Sequence, residues 1–246
     1  MGSLALAQAE MGVMNFALSI SLERSAELSV KWPDEWTGGP FSVNDRTTLV
    51  PVDRGTDEWN WAAAEWRKVG QSSRAISAEL LKVERVQNVK AWEAYYSRVR
   101  LLAGRNNAEV SKGTSVFVKA NEKWMKHGTS ATSPETIYEA EQGLDCRYCG
   151  KGLFGIAAYT AEDALYSDQK YAHQLADGTR QMFLVRVAAG NVHEVTTRTI
   201  AHQSLVHPPS GFDSVRGCVL GPDFMAIMVY QPDSAYPAYL LTYQTN

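Results

Sequence analysis

The 246-residue sequence has few cysteines and no marked excess of charge of either sign. Cys146, Cys149 and Cys218 are too few, and odd in number, for the disulfide framework of a small secreted domain. A reducing intracellular compartment, cytoplasm or nucleus, is therefore expected. The 24 basic and 27 acidic residues give a formal net charge of -3. That balance provides no general field toward nucleic acid or anionic lipid, and neither partner is predicted.

Long apolar runs are also absent. The apolar start of the chain has no Lys or Arg before Arg24, whereas a secretory signal needs a basic start. No later run is long enough to span a bilayer as a helix. With 45% hydrophobic residues the chain can still bury a sizeable core. The sequence therefore predicts a globular protein of one large domain, or one domain with an extension.

Proline and glycine mark one boundary near the start of the chain. The stretch 33–40 is rich in both, and little periodic pattern crosses it. Before it, alternating apolar residues predict one or two strands within residues 16–30. We therefore divide the chain into an N-terminal extension, residues 1–46, and a main domain, residues 47–246.

Two helices are predicted in the first half of the main domain. Thr56 can cap the first, whose apolar stripe is Trp59, Ala63, Trp66 and Val69. The second should begin at Asn88, after a strand that contains Leu81 and Val83. Its apolar stripe is Val89, Trp92, Tyr96, Val99 and Leu102. After Gly128 short apolar runs, the clearest at 183–187, 225–230 and 239–243, predict strands. The fold class is therefore α+β.

Residues with candidate chemistry begin at His127-Gly128-Thr129. A histidine beside a glycine offers a hydrogen-bonding ring next to a backbone that a ligand can approach closely. On the tripeptide alone, a surface histidine or a hydrogen-bonded core histidine is the favoured interpretation. The glycine-rich stretch 150–155 then runs into an apolar strand that ends near Tyr159. Ser167 and Tyr171 follow eight and twelve positions after Tyr159.

These residues resemble the catalytic domain of the poly(ADP-ribose) polymerases, and tankyrases most closely, from about Thr47 to the last residue. Further stretches agree with the family in order and spacing: 83–88, 121–122, 143–147, 180–187, 207–209, 213–215 and 235–243. The resemblance implies an ADP-ribosyltransferase fold, in which two packed, mainly antiparallel β-sheets with flanking helices surround an NAD⁺-binding cleft.

The resemblance also implies roles for individual residues. His127 would hydrogen-bond the nicotinamide ribose, and the Gly128 backbone and Ser167 would hold the carboxamide. Tyr159 and Tyr171 would sandwich the nicotinamide ring, which suits a cationic ring because aromatic faces attract cations. The NAD⁺-binding residues that the resemblance implies also include Thr129, which follows Gly128, and Asp145 and Arg147, which match the family's donor loop. Outside this resemblance, tyrosines in a sheet protein are ordinary packing residues.

One position departs from the family. Polymer-forming members complete the set of His127 and Tyr159 with a glutamate on a late strand, and the corresponding residue here is Ala226. Asp223 would face the opposite side of a regular strand, so that only a bulge could bring it to the site. Members without the glutamate are typically mono-ADP-ribosyltransferases, and a few are silent. We therefore predict NAD⁺-dependent transfer of one ADP-ribose to a protein side chain, self-modification included. The alternative is a silent module that binds NAD⁺, ADP-ribose or a protein.

Several other residues are discounted. Cys146 and Cys149 have the two-residue gap of a zinc knuckle, but no second pair accompanies them, and we expect free thiols and no metal. Ala157 replaces a glycine of the family's loop-to-strand motif. Three histidines of the second half show no nucleophile–base arrangement and are not candidates: His193, His202 and His207.

Overall fold

The computed structural model describes residues 29–105 and 114–245. The chain divides into two compact units after Glu35. The larger unit, which starts at Trp36, contains every helix and strand given below. The strand positions expected within residues 16–28 lie outside the described residues. None of the helices in the two described ranges has the length and apolarity needed to cross a membrane.

The helices lie mainly in the first half. They are α1 (Asp57–Arg67), α2 (Val89–Arg105), α3 (Val116–Lys119), α4 (Pro134–Tyr138) and α5 (Ala164–Tyr171). The Thr56 side chain caps α1 as predicted, because it accepts a hydrogen bond from the Trp59 amide at 3.2 Å. The prediction that Val69 belongs to this helix was wrong. The backbone turns extended at Lys68, so Val69 lies beyond the helix and is exposed.

Helix α2 begins where Asn88 predicts it, since the Asn88 Oδ1 atom accepts a hydrogen bond from the Ala91 amide at 3.0 Å. All five residues of its predicted apolar stripe are buried. The Trp92 ring on this stripe packs against Trp36 and Tyr236, with ring centroids 5.9 and 5.2 Å apart. The packed unit therefore takes in part of the segment assigned to the extension. The division after residue 46 stays a prediction.

Strands make up most of the second half. They are β1 (Thr48–Pro51), β2 (Ala78–Gln87), β3 (Glu122–His127), β4 (Lys151–Gly152), β5 (Gly155–Ile156), β6 (Ala158–Ala161), β7 (His173–Gln174), β8 (Arg180–Ala188), β9 (Val192–Val195), β10 (Ser214–Leu220), β11 (Phe224–Val229) and β12 (Ala235–Thr245). The three strands predicted after Gly128 correspond to β8, β11 and β12. The α+β class is thus confirmed.

Strand β2 includes Leu81, as predicted. The pairing of β2 with β12 skips Leu81, and the side chain at this bulge is exposed.

The large sheet has the strand order β1-β2-β12-β8-β3-β6-β11-β10-β9, with β7 added to β8. Its described pairings are antiparallel except that of β9 with β10. Between β3 and β6 one residue pair, Lys126 with Ala161, carries the ladder. The two expected sheets are therefore two halves of one ladder that meet at this pair. Strands β4 and β5 form a separate hairpin.

Strand β11 lies between two buried apolar clusters. Ile227 and Val229 belong to one, together with residues of β8 and β12. Ala226 and Met228 belong to the other, together with residues of β6 and β10. Successive side chains of a strand point to opposite faces, so β11 has no polar face and is buried throughout. The candidate site lies beside this strand, where the two halves of the sheet join.

Candidate active site

A cavity of about 730 Å³ opens where β3 and β6 meet. Its volume falls within the range of about 300–1,000 Å³ that is usual for small-molecule sites. The lining residues come from the segments 127–132, 136–140, 143–153, 157–161 and 166–171, with Gln203 from a 3-10 helix (Ile200–Ser204). Within these segments the structure brings together most of the site residues predicted from the sequence: His127, Gly128, Thr129, Asp145, Tyr159, Ser167 and Tyr171. Arg147 and Ala226 do not line it.

His127 is the last residue of β3, and its ring is fixed by the neighbouring strand. Its Nδ1 atom lies 2.8 Å from the main-chain carbonyl oxygen of Tyr159 in β6. A carbonyl oxygen can only accept, so Nδ1 carries the proton and Nε2 is left as an acceptor. Burial lowers the pKa of His127 below its usual value of 6.5, although the bond to the carbonyl acts the other way. The ring is therefore neutral at pH 7 and presents an acceptor.

Tyr159 lines the cavity with its hydroxyl already committed. The hydroxyl accepts a hydrogen bond from the Phe154 amide at 2.7 Å and donates one to the Gly155 carbonyl at 3.1 Å. Burial raises the pKa of Tyr159 to about 12. The ring passes so close to Gly152 that a β-carbon there would lie 2.5 Å from the hydroxyl oxygen. With its hydroxyl held by the loop, Tyr159 offers a ring rather than a proton donor.

Tyr171 and Ser167 come from helix α5. The Tyr171 ring is 44% exposed, and its hydroxyl accepts a hydrogen bond from Tyr166 at 3.3 Å. Ser167 is 2% exposed, lines the cavity and has no hydrogen-bond partner within residues 29–105 and 114–245. A buried hydroxyl usually has a partner, so Ser167 is equipped to bind a polar ligand group. At Gly128 a β-carbon would lie 2.7 Å from the carbonyl carbon of Tyr171, so glycine there lets the helix approach β3.

The remaining predicted residues hold the loops of the site. The Thr129 hydroxyl donates to the Thr132 carbonyl and closes a short turn. Asp145 caps a 3-10 helix (Cys146–Tyr148), where its Oδ1 accepts from the Arg147 amide at 2.8 Å. The Arg147 guanidinium pairs with the Asp145 carboxyl and lowers its pKa, so that the carboxylate at this wall of the cavity is ionised and neutralised by Arg147. The Arg147 side chain itself is 84% exposed and lies outside the cavity lining.

Ala226 lies behind the cavity wall. It pairs with Ala161 of β6, and Met228 pairs with Tyr159, so the side chains of all four point to one face of the sheet. Ala161 lines the cavity, whereas Ala226 is fully buried. The strand contains no bulge that would bring Asp223 into register, because the irregularity at its pairing with β10 skips a residue of β10.

Asp223 accordingly points away from the site. Its carboxylate lies 3.9 Å from the Arg74 guanidinium. Ala226, which the sequence analysis aligns with the family glutamate, has a fully buried methyl group, and Asp223 is not among the residues that line the cavity.

Tyr166 and Gln203 are among the cavity residues that the sequence analysis did not predict. Tyr166 comes directly before Ser167 on helix α5, and its ring centroid lies 5.4 Å from that of Tyr171. Its position next to Ser167 was the available signal. Gln203 reaches the cavity because the Leu205 carbonyl accepts a hydrogen bond from the Ile156 amide at 3.0 Å, which docks that loop on β5. No sequence pattern encodes a contact between segments so far apart.

The described residues contain no cluster of three or more side chains suited to bind a metal. The three cysteines are free thiols, as the sequence analysis expected. Ala157 is 1% exposed and packs in the same apolar cluster as Ala226. Its methyl group is therefore accommodated by the core, although the residue also contributes to the cavity wall.

Comparison with known proteins identifies the family to which this chain belongs. The sequence model of the poly(ADP-ribose) polymerase catalytic domain matches residues 56–220, and the chain belongs to that family. Domains of this family are ADP-ribosyltransferases that use NAD⁺ as a co-substrate. The match ends before β11 and so does not extend to Ala226.

Individual relatives agree with this assignment. The chain is 26% identical over 215 residues to a probable poly(ADP-ribose) polymerase of Dictyostelium discoideum. The alignment covers 87% of this chain and 57% of the relative. The chain is 29% identical over 175 residues to the protein mono-ADP-ribosyltransferase PARP12 of Mus musculus and of Homo sapiens. These matches cover 67% of this chain and 22% of each relative. The chain therefore spans only part of the length of these relatives.

Proposed function

We propose that this domain transfers a single ADP-ribose unit from NAD⁺ to a protein side chain. One pair of observations carries the proposal. The first is the neutral His127 ring, whose Nε2 atom is an acceptor, and the second is the buried methyl group of Ala226. The first suits binding of a ribose hydroxyl. The second removes the carboxylate that chain elongation in the family uses. The relatives named mono-ADP-ribosyltransferases support the same activity.

The side chains of the cavity suit the nicotinamide end of NAD⁺. Tyr159 and Tyr171 supply aromatic faces for a cationic ring. The Ser167 hydroxyl, which has no partner among the described residues, and the backbone at Gly128 can bind a carboxamide, which needs both a donor and an acceptor. His127 Nε2 accepts from a ribose hydroxyl and so fixes the sugar relative to the ring. NAD⁺ supplies a nicotinamide that leaves as a neutral group, so no protein acid has to protonate it.

A silent binding module is the second candidate, and Ala226 is the observation that favours it. Without a carboxylate in this position, the site lacks a charge-assisted hydrogen bond worth on the order of 1.5–3 kcal/mol. Such a loss corresponds to a rate decrease of about 10- to 100-fold if it is felt fully in the transition state. Binding of NAD⁺ through the tyrosines, Ser167 and His127 does not depend on that group.

Incubation with NAD⁺ labelled in the adenylate part distinguishes the two candidates. We expect label on the protein itself and on added acceptor proteins, as single units that show no ladder on a gel. His127→Ala should weaken NAD⁺ binding by about 2- to 12-fold, because it removes one neutral hydrogen bond, and should abolish labelling. His193→Ala is the matched control, since His193 packs on Phe212 and is not part of the cavity.

The outcomes separate clearly. Saturable NAD⁺ binding without any labelling supports the silent module and contradicts the transferase. A ladder of products contradicts single-unit transfer. Equal loss of binding in both histidine variants would mean that His127 acts through folding rather than through the ligand.

A further inference from the structure

The loop of residues 143–153, which contains Asp145 and Arg147 and is called the donor loop below, has two thiols that the proposed chemistry does not use. Cys146 opens the 3-10 helix that Asp145 caps, and Cys149 follows its last residue. The Cys149 amide donates to the Cys146 carbonyl at 3.1 Å, which closes one turn. Side chains three positions apart in a 3-10 helix eclipse each other, with a rise of about 2 Å per residue. The two α-carbons are thus roughly 6 Å apart, within the range of about 4.4–6.8 Å found for disulfides.

The two side chains also face the same surface. Both pack against the apolar cluster that includes Leu144 and Val229. The Cys146 sulfur lies 3.7 Å from the Val229 carbonyl oxygen, and the Cys149 sulfur lies 3.9 Å from that of Asp145. Both cysteines are half-buried, and Cys149 lines the cavity. A small oxidant that enters the cavity therefore reaches Cys149, and Cys146 lies one 3-10 turn away and is itself only half-buried.

The protonation of the pair is unequal. A hydrogen bond from the Cys149 thiol lowers the pKa of Cys146, although burial acts against this. The same bond and burial raise the pKa of Cys149, which keeps its proton. Since the thiolate is the reactive form, Cys146 is the thiol that an oxidant attacks first, and Cys149 lies beside it as the resolving thiol.

We propose that Cys146 and Cys149 are a redox-active pair whose disulfide weakens NAD⁺ binding by locking the donor loop. The inference rests on the proposed use of the cavity for NAD⁺. With a hydroperoxide as oxidant, the Cys146 thiolate takes one oxygen, the O–O bond breaks and one molecule of water or alcohol leaves. The Cys149 thiol then displaces the hydroxyl from sulfur, the S–S bond forms and a water leaves. Together the two thiols lose two electrons and two protons.

The loop carries the effect to the cavity. Asp145, Tyr148, Cys149 and the residues up to Leu153 form one of its walls. To form the bridge, the two sulfurs must close to bonding distance, and Arg147 and Tyr148 are enclosed in the small ring that results. A wall locked in this way no longer adapts to a dinucleotide. We expect binding to weaken by at least about fivefold, the lower end of typical coupling between two sites.

The test uses the whole chain, oxidised with hydrogen peroxide and then alkylated and mapped by mass spectrometry. We expect a bridge between Cys146 and Cys149, an unmodified Cys218, weaker NAD⁺ binding and full recovery with dithiothreitol. Cys146→Ser and Cys149→Ser should form no bridge, and peroxide should leave the NAD⁺ affinity of each variant at its own untreated value. Cys218→Ser is the matched control and should behave as the parent, because Cys218 lies on β10 outside the cavity lining.

Two results overturn the proposal. One is that both loop thiols remain open to alkylation after oxidation, and the other is a bridge that leaves NAD⁺ affinity unchanged. If the reduced protein does not bind NAD⁺, the proposed function fails. The locking of the loop is then decided by hydrogen exchange of residues 145–152, which the bridge should slow and the serine variants should not.

Discussion

His127 acquires its properties from a single hydrogen bond to another strand. The Tyr159 carbonyl selects the ring tautomer, and burial keeps the ring neutral by lowering its pKa. A neutral acceptor at Nε2 is available for a ribose hydroxyl only in this tautomer. His127 and Tyr159 thus lie at the same junction between β3 and β6. The Tyr159 ring is fixed through its hydroxyl, and the His127 ring is fixed through Nδ1.

Ala226 is the residue at which the activity of the domain can be changed most directly. In Ala226→Glu the side chain extends on the face shared with Ala161 and Tyr159, toward the cavity. We expect NAD⁺ turnover to rise by about 10- to 100-fold, because a carboxylate then reaches the ribose. We also expect lower stability in denaturant, since burying a charge among apolar residues costs several kcal/mol.

The control for this variant is Ala226→Gln, which has the same length without the charge. It should not raise turnover. A glutamate variant that is folded, binds NAD⁺ and turns over no faster than the parent would contradict the position that we assign to this residue.

At the scale of elements, helix α5 sets one side of the cavity. It carries Ser167 and Tyr171, and its end packs against Gly128 at a distance that excludes a β-carbon. Asp168 fixes the helix from the other side, since it pairs with Arg180 at 2.9 Å and accepts from Tyr243 at 2.9 Å. The glycine after His127 is therefore a packing requirement of the helix as well as a place for a ligand.

Gly128→Ala tests this packing. The added methyl should displace the end of α5 and weaken NAD⁺ binding by about tenfold or more, because shifts of about 1 Å at a site can cost up to 100-fold. Gly104→Ala is the control, since among the described residues no atom beyond its chain neighbours and its own helix backbone would lie within 4 Å of the added β-carbon. That change replaces a glycine within α2 and should stabilise the fold by up to about 1 kcal/mol. Unchanged NAD⁺ affinity in Gly128→Ala would contradict the assigned contact.

For the whole molecule, the critical place is the seam between the two halves of the sheet. Lys126 lies there, only 2% exposed, and its Nζ donates to the carbonyls of Lys68 at 3.2 Å and of Glu162 at 2.9 Å. It thus ties the segment after α1 to the segment after β6. Burial lowers the pKa of Lys126 from 10.5 to about 8, although Glu65 and Asp163 act in the opposite direction.

This buried lysine predicts a pH dependence of stability. Between pH 8 and 10.5 the unfolded chain binds more protons at Lys126 than the folded one, so this group makes the free energy of unfolding rise with pH. The slope for one proton is at most about 1.4 kcal/mol per pH unit. Lys126→Met should lack this rise. Urea unfolding of both proteins from about pH 7 to 9.5 measures the difference, and parallel curves would contradict it.

Much of the fold could be read from local patterns. The caps at Thr56 and Asn88, the buried stripe of α2 and the strands β8, β11 and β12 each depend on residues close in sequence. Val69 was misplaced because spacing continues past the point where the backbone leaves the helix. Leu81 lies in a strand as predicted, but its place in a bulge is decided by the pairing with β12, more than a hundred residues away.

The sequence by itself determined the family and the order of the site residues. His127-Gly128, Tyr159, Ser167 and Tyr171 have a characteristic spacing along the chain, and this spacing can be recognised without a structure. Tertiary structure alone decided the tautomer of His127, the exclusion of Arg147 and the position of Ala226 behind Ala161. Local hydrogen bonds and periodicity act within a few residues. Which side chains meet in a cavity depends on strand register and loop docking, and these are set by contacts between distant segments.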